Sequence, residues 1–534
     1  MLKQKTINIA LFLIFTASVT LSAYDNAFVQ NNFVIVIPSW GNQDRVEENL
    51  KSVYNQDYDN YRVIYLNDAS KDKTGERAEE IVAQLRQTHR TTIIHNKENV
   101  GALANHYKAV HMCQDHEIIV HLDGDDQLKH EHVLQILNKA YQDPNIWMTY
   151  GQYEEVLYQG NKVISANKGH CKGMTQGIVK LNAYREYDWV SSHLRSFRAG
   201  LFKHIKLKDL MKNGHFFRSA CDMAFMYPLL ELSGGKFKFI DEILYCYNCS
   251  NPHNVFRKNV ITQLHNKFTI LSKEKYSPLE TDGIPNRDIP KHAKADLIIF
   301  SENNPAQLKA LLESACCFLE SIGDIHVLHT SQDQSQDKAY ATIKKDFYNV
   351  TFIPISETNL KEELEKTIQS PQNNHILLAK DTMVIKDFVN ISSCIEVLEQ
   401  TYAYGFYLAL GKNIKENYSL ERKQNITPHS EIKDGIYAWQ FKNGEHDWRN
   451  PNNLLMTLYR KKDILNALED LHFDTAKKLE KNWNKSKFDM GNIGLFFEKS
   501  KAVTIACEKE KTKINIALLY LIKNVSTICK WQQQ

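Results

Sequence analysis

The sequence predicts two α/β domains in tandem, each built on a mostly parallel sheet with helices packed against it. Three observations carry this. Short β-branched runs alternate with longer stretches of helical periodicity, the pattern of βαβ units. The strand-like runs are apolar almost throughout, as expected of strands covered on both faces. The whole alternation then repeats after a polar, proline-bearing segment.

The first copy opens with FVIVIP (Phe33–Pro38), a β-branched run closed by proline. QDRVEENLKSVYNQ follows, with Val46, Leu50 and Val53 at helical spacing. YRVIYLND is a strand ending in Asp68, ERAEEIVAQLRQ a helix, and TTIIHN a strand ending in Asn96. GALANHYKAVHMC is helical and EIIVHLD is the fourth strand. Ligands of such sheets bind beyond the carboxyl ends of the strands. Polar residues gather there: Ser39 and Trp40, Asn67 and Asp68, Asn96, and Asp123 to Asp126. Together they describe the mouth of a ligand cleft.

The second copy runs ADLIIF, PAQLKALLESACCFLE (Pro305 opening the helix), IHVLHT, DKAYATIKKDF, VTFIPI and LKEELEKTIQ. HILLAKDTMVI then stands where EIIVHLDGDDQL stands in the first copy. A later element also recurs, since DWVSSHLRSFRAGLFKHI (Asp188–Ile205) matches DWRNPNNLLMTLYRKKDI (Asp447–Ile464). The expected division is a leader over 1–25, a first domain over 30–260, a linker over 261–293, a second domain over 294–505 and a tail over 506–534.

Composition narrows the function classes. A net charge of +3 in 534 residues, with Lys and Arg scattered, gives no reason to expect a nucleic-acid partner. The ten cysteines have no regular spacing, so a disulfide scaffold is not expected, and Cys246 and Cys249 read as core or loop thiols. At the N-terminus, Lys3 and Lys5 precede an apolar run from Ile7 to Ala23 closed by small residues. This pattern fits a secretory signal or a membrane anchor, with a buried helix as the third reading. A membrane-associated, secretory or periplasmic location is expected.

The segment EIIVHLDGDDQL places three carboxylates within four residues at a strand end. Hard divalent cations, Mn²⁺ or Mg²⁺, take oxygen ligands and commonly use one or two carboxylates plus substrate phosphates. Gly124 lets Asp123 and Asp125 both reach the mouth. The competing reading is a turn in which Asp126 caps the following helix.

The order FVIVIPSWGNQDRVEENLKSVYNQDYDNYRVIYLNDASKDKTGE, NKENVGALANHYKAV and HLDGDDQL resembles family 2 glycosyltransferases, over Phe33 to Asn254. The resemblance implies a GT-A fold, Rossmann-like and mostly parallel, and a nucleotide-sugar donor, with UDP the preferred base. It implies that Pro38, Trp40 and Asp68 grip the base, with Asn96 at the same edge. Asp123 would contact the ribose or uracil side, and Asp125 would ligate the metal on the diphosphate. Such a cation supports departure of the diphosphate as a Lewis acid.

The same resemblance implies a general base about a hundred residues on, where RSACDMAFMYPLLELSGGKF offers Asp222, with Cys221 in place of the expected Glu. The alternative role for Asp222 is to cap its helix. Trp189, His193 and Arg195 fall in the region that lines the acceptor pocket, where an Arg could clamp a phosphate or uronate; the alternative is a surface strand leading to a helix. His253 stands where relatives carry a metal or phosphate contact. The second copy has Lys380, Asp381 and Thr382 in place of paired carboxylates and is expected to be an inactive GT-A-like domain that binds acceptor glycan or holds the first domain, the alternative being a second, metal-independent transferase. The leading expectation is therefore a metal-dependent, inverting glycosyltransferase acting on a glycan, lipid or protein hydroxyl. The second is a non-catalytic carbohydrate-binding or scaffold protein built from the same domains.

Overall fold

Strand β1 (Phe33–Ser39) is buried along its whole length, which accounts for its uninterrupted apolar sequence. The computed structural model describes residues 29–159, 162–251, 260–281, 283–369, 372–417 and 422–505. The leader over 1–25, His253 and the tail over 506–534 lie outside the described residues. Among the described residues no helix is long and apolar enough to cross a membrane.

From β1 the chain passes through α1 (Val46–Tyr54), β2 (Tyr61–Asn67), α2 (Thr74–Gln84), β3 (Thr91–His95), α3 (Ala102–His111) and β4 (Ile118–His121). These are the predicted elements in the predicted order. The four strands are parallel, with β1 between β2 and β4. Val46, Leu50 and Val53 of α1 pack with Phe33, Ile35 and Ile37 of β1 in one core, so the helical spacing seen in the sequence is the buried stripe.

The rest of this sheet comes from β5 (Gln127–Leu128), α4 (Val133–Tyr141), β6 (Met148–Gln159), β7 (Lys162–Lys168), α5 (Gln176–Lys180), β8 (Arg195–Arg198), α6 (Ala199–Lys203), α7 (Cys221–Ser233), β9 (Phe237–Asn248) and α8 (Val260–Leu271). The strand order is β3-β2-β1-β4-β8-β6-β9-β5, with β7 alongside β6. Strand β8 is antiparallel to both β4 and β6. All four of its residues are buried, so it is a central strand and not a surface one.

The second sheet uses β10 (Ala295–Glu302), β11 (Ile322–Thr330), β12 (Val350–Pro354), β13 (His375–Lys380), β14 (Gly405–Tyr407), β15 (His429–Lys433), β16 (Ile436–Gln440), β17 (Thr457–Arg460) and β18 (Ile493–Phe497), in the order β12-β11-β10-β13-β17-β14-β18-β16-β15. The succession of its first seven strands repeats that of the first sheet. Strand β17 is antiparallel to β13 and β14 as β8 is to β4 and β6, and β14 is parallel to β18 as β6 is to β9. The helices beside these strands are α9 (Pro305–Phe318), α10 (Gln334–Asp346), α11 (Leu360–Ile368), α12 (Ile391–Thr401), α13 (Lys461–Leu468) and α14 (Ala476–Trp483).

The described residues form two compact units: those from 29 to His204 with Ser219–Asn286, and Ile205–Arg218 with those from Arg287 to 505. The segment expected as a linker is shared between them. Its helix α8 and the following turn belong to the first unit because Arg185 reaches them. The Arg185 guanidinium forms a two-pronged pair with Glu231 at 2.5 and 2.8 Å and donates to the carbonyls of Ile270 and Lys273. Both side chains are buried. Removing one member of such a pair strands the other charge. Glu231→Ala is therefore expected to cost about 3–5 kcal/mol, read as a lower urea midpoint; a loss under about 1 kcal/mol would show that the pair is not what fastens this segment.

Candidate active site

The Asp123–Asp126 turn leaves the carboxyl end of β4 and is fixed from several directions. Asn49 of α1 donates to the carbonyls of Asp123 and Asp126 at 3.0 and 2.7 Å. Gly124 donates its N–H to the Pro38 carbonyl and lies so close to β1 that a Cβ there would sit 2.3 Å from Ser39 Oγ. Gly124 is thus required by close approach rather than by a positive φ. Pro38 itself is buried, and its carbonyl is its contribution.

The three carboxylates have different surroundings. Asp126 is buried and accepts from Tyr245 Oη at 2.5 Å and from the Asn248 N–H at 2.7 Å. Burial, then Asp125 and Asp123, push its carboxyl well above the usual range. It ties the turn to β9 and does not cap α4, whose N-cap is His132. For Asp123, burial acts upward, but His121 at 3.0 Å and the charge of Arg195 outweigh it and hold the carboxyl well below the usual range. Asp125 is half-buried and receives the Asn251 amide on Oδ2 at 2.6 Å. Burial and the neighbouring Asp123 push it up to about 6.

Asp125 lines an open cleft of about 950 Å³ with Arg45, Asp72, Lys73, Arg77 and Asn251. Trp40, at the same strand end, is 39% exposed. Asp68 is differently placed. Its two oxygens accept the N–H groups of Val100 and Gly101 at 2.9 and 2.8 Å and the Asn96 amide at 2.9 Å, so it organises the turn into α3. Asn96 also bonds Asn105 inside that network.

The residues expected on the acceptor side form a second group. Asp222 is in the first turn of α7, where Ala220 is the N-cap, and its Oδ1 accepts the Met223 N–H. Its Oδ2 lies 3.6 Å from Arg195 Nη2. Arg195 is buried, lies against the His193 ring at 3.3 Å, and has no partner for its Nε among the described residues. His193 stacks on Tyr245 at 4.3 Å; burial, reinforced by Arg195, pushes it well below the usual imidazole range, so it is neutral. Trp189 stands apart, edge-on to Tyr227 at 5.3 Å.

The predicted groups are thus connected: Asp222 to Arg195, Arg195 to His193, His193 to Tyr245, and Tyr245 to Asp126 and Asp123. Sequence reasoning missed the connector Tyr245, which is 122 positions from Asp123. It also missed His121, although that residue stands two places before Asp123, and Asn49 and Asn251. No group of three or more His, Cys, Asp or Glu poised around one metal position occurs among the described residues.

In the second unit the equivalent turn is closed. Asp381 is buried and bonds Ser301 and the Glu302 N–H at 2.9 and 3.1 Å, while Lys380 pairs with Glu480. Thr457 occupies the strand position that Arg195 holds in the first.

The carboxylate turn thus stands at the carboxyl edge of a mostly parallel α/β sheet, the edge where ligands of such sheets bind, and opens on a cleft lined by Arg45, Lys73 and Arg77 together with Asp44, Glu47, Glu48 and Asp72. Residues 34–210, a third of the chain, match the family model described as Glycosyl transferase family 2. The bifunctional glycosyltransferase pgtA of Dictyostelium discoideum is 23% identical over 186 residues, 32% of this chain and 24% of the relative. Glycosyltransferase GlyG of Streptococcus pneumoniae is 25% identical over 216 residues, 40% of this chain and 69% of the relative. The chain thus spans about a quarter of the first of these. The S. aureus TarS 1-349 structure in complex with UDP-GlcNAc is 17% identical with a TM-score of 0.31, over 41% of this chain and 59% of that one.

The raised Asp125 makes the metal-free protein pH-sensitive. Its folded pKa of about 6 exceeds the unfolded value of 3.8, so the folded state holds the proton more tightly. Its contribution is fully favourable below pH 3.8 and is lost as pH rises through about 6. Asp125→Asn should therefore raise stability at pH 7 without metal by on the order of 1 kcal/mol, after allowance for solvent screening, and the gain should vanish near pH 4. Melting curves at both pH values check this; an equal gain at both would place the strain elsewhere.

Proposed function

We propose that the first unit transfers a sugar from a nucleotide-diphosphate donor, UDP being the first base to test, to a hydroxyl of a glycan, lipid or protein. The observation that carries this reading is Asp125, a half-buried carboxylate with a raised pKa at the mouth of a cleft of mixed charge, where Arg45, Lys73 and Arg77 stand among Asp44, Glu47, Glu48 and Asp72, in a region matching a glycosyltransferase family. A carboxylate pushed up by burial and a like charge gains from a cation. Asp125 therefore suits Mn²⁺ or Mg²⁺, which when bound would neutralise charge on the departing diphosphate.

The remaining chemistry falls to the chain. The acceptor oxygen attacks the anomeric carbon, the bond from that carbon to the phosphate oxygen breaks, and Asp222 takes the hydroxyl proton. A single displacement inverts the carbon. Arg195 positions Asp222, and the stack of His193 on Tyr245 holds Arg195 in register with the carboxylate turn. Trp40 and the β1 edge would receive the base. Asp68 and Asn96 act through the loop they hold together. The second unit, with Asp381 turned inward and Lys380 paired, is assigned no transfer. The apolar run from Ile7 to Ala23 supports a membrane-associated or secretory location.

Asp125→Ala should lower transfer by at least a hundredfold with the fold intact, as a single removed electrostatic contact does elsewhere. Asp222→Asn should lower transfer by a similar factor while nucleotide binding stays within about threefold of the parent, since general-base loss costs about 10²–10⁴. Product formation from a panel of nucleotide sugars checks both. Activity within a few-fold of the parent in either variant would remove that residue from the mechanism.

A further inference from the structure

One cavity of the second unit lies away from its carboxylate turn. It is a cleft of about 850 Å³ lined by residues that lead into β14 and β18, Tyr402 to Tyr404 and Asn492, and by Arg460 at the end of β17. Strands β14 and β18 are parallel, and β17 runs against them with Arg460 paired to His375 at the start of β13. The cleft therefore opens at the amino-terminal edge of the sheet, whereas Asp381 lies at the carboxyl edge. It is a different site from the one that the repeat of the fold would supply.

Its walls combine aromatic faces with hydrogen-bonding groups. Tyr404 and Phe488 are half-buried and meet edge to face at 4.6 Å, with Trp483 beneath as a buried floor. Tyr404 is fixed by its hydroxyl, which donates to Asn452 at 2.6 Å. Tyr402 is held by the Arg287 guanidinium, 3.5 Å over its ring, at a φ of +55°. A bulky residue in that conformation is unusual at a helix end, where glycine is the ordinary choice. Asn466 and Asp470 line the cleft from exposed positions.

The charges discriminate among ligands. Arg460 is fully engaged, with Glu399 and the carbonyls of Ala403 and Leu398, and offers no cation to a phosphate. The lining otherwise carries Lys485 and Lys487 against Asp463 and Asp470, with Asp463 also 3.4 Å from Arg460, so by formal charge it is close to neutral once Glu399 offsets Arg460. Its volume lies within the range of small-ligand sites, about 300–1,000 Å³. A ligand that suits it is uncharged, has a flat C–H face to lie on the tyrosine and phenylalanine rings, and carries hydroxyls for amide and carboxylate partners. Pyranose sugars have that chemistry. We propose that this cleft binds a neutral oligosaccharide, independently of the donor chemistry in the first unit.

The full chain tests this by calorimetric titration with chitotriose, maltotriose and mannotriose and by binding to an array of neutral glycans. At least one neutral oligosaccharide should bind at one per chain. Asn466→Ala/Asp470→Ala, both at exposed positions, should weaken binding at least tenfold, and Asn466→Trp, which fills the cleft, should do the same. Both variants should hydrolyse nucleotide sugars like the parent. Asp125→Ala should lose donor chemistry yet bind the glycan normally, which separates failure of this site from failure of the first. The proposal is overturned if no neutral glycan binds, if either cleft variant loses less than tenfold, if Asp125→Ala abolishes glycan binding, or if the cleft takes only charged sugars or peptides.

Discussion

Three carboxylates in four residues cannot all stay ionised in a half-buried turn unless each finds a different environment. The first unit is arranged around that constraint. Asp126 turns inward to Tyr245 and the Asn248 N–H, where the neutral form is favoured. Asp123 takes His121, with Arg195 close enough to favour its charge. Asp125 is left at the cleft with one amide and a pKa of about 6. One carboxylate serves the fold, one is held in its charged form, and one faces the cleft.

The surrounding architecture follows from keeping that arrangement in place. Asn49 reaches from α1 to two carbonyls of the turn, and Gly124 presses it against Ser39. Tyr245 brings in β9, and through His193 it joins the turn to Arg195 and Asp222. The second unit shows the same strand order without the constraint. A single acid there turns inward to Ser301, burial pushing it up to about 6, and Lys380 pairs with Glu480. The strand succession recurs in the second unit, while the cluster of three carboxylates does not.

The sheets were legible because βαβ periodicity is local. Each run from Phe33 to His121 announces its own strand or helix, and polar residues mark each strand end. Strand β8 was harder. The stretch around Arg195 reads equally as a pocket lining or a surface strand, and its burial in mid-sheet rests on distant contacts: Ser196 bonds Tyr141 and Thr149, and Arg198 donates to the His116 carbonyl. The domain limits were also hidden. Whether 205–218 and 260–286 go with one unit or the other depends on contacts such as Arg185–Glu231 that no spacing reveals. In the site, Asp123, Asp125 and Asp222 were visible as acids at strand and helix ends, but their inequality was not. It comes from His121, Tyr245 and Asn251, and only His121 is near in sequence.

We propose that Asp125 alone makes a nucleotide-diphosphate site in the first unit dependent on a divalent cation. Calorimetric titration of UDP into the full chain, with and without Mn²⁺, tests it most directly. The account predicts one equivalent bound in Mn²⁺, lost in EDTA and in Asp125→Ala, and unchanged in Lys380→Ala. A second equivalent that survives EDTA and Asp125→Ala and disappears in Lys380→Ala would contradict it.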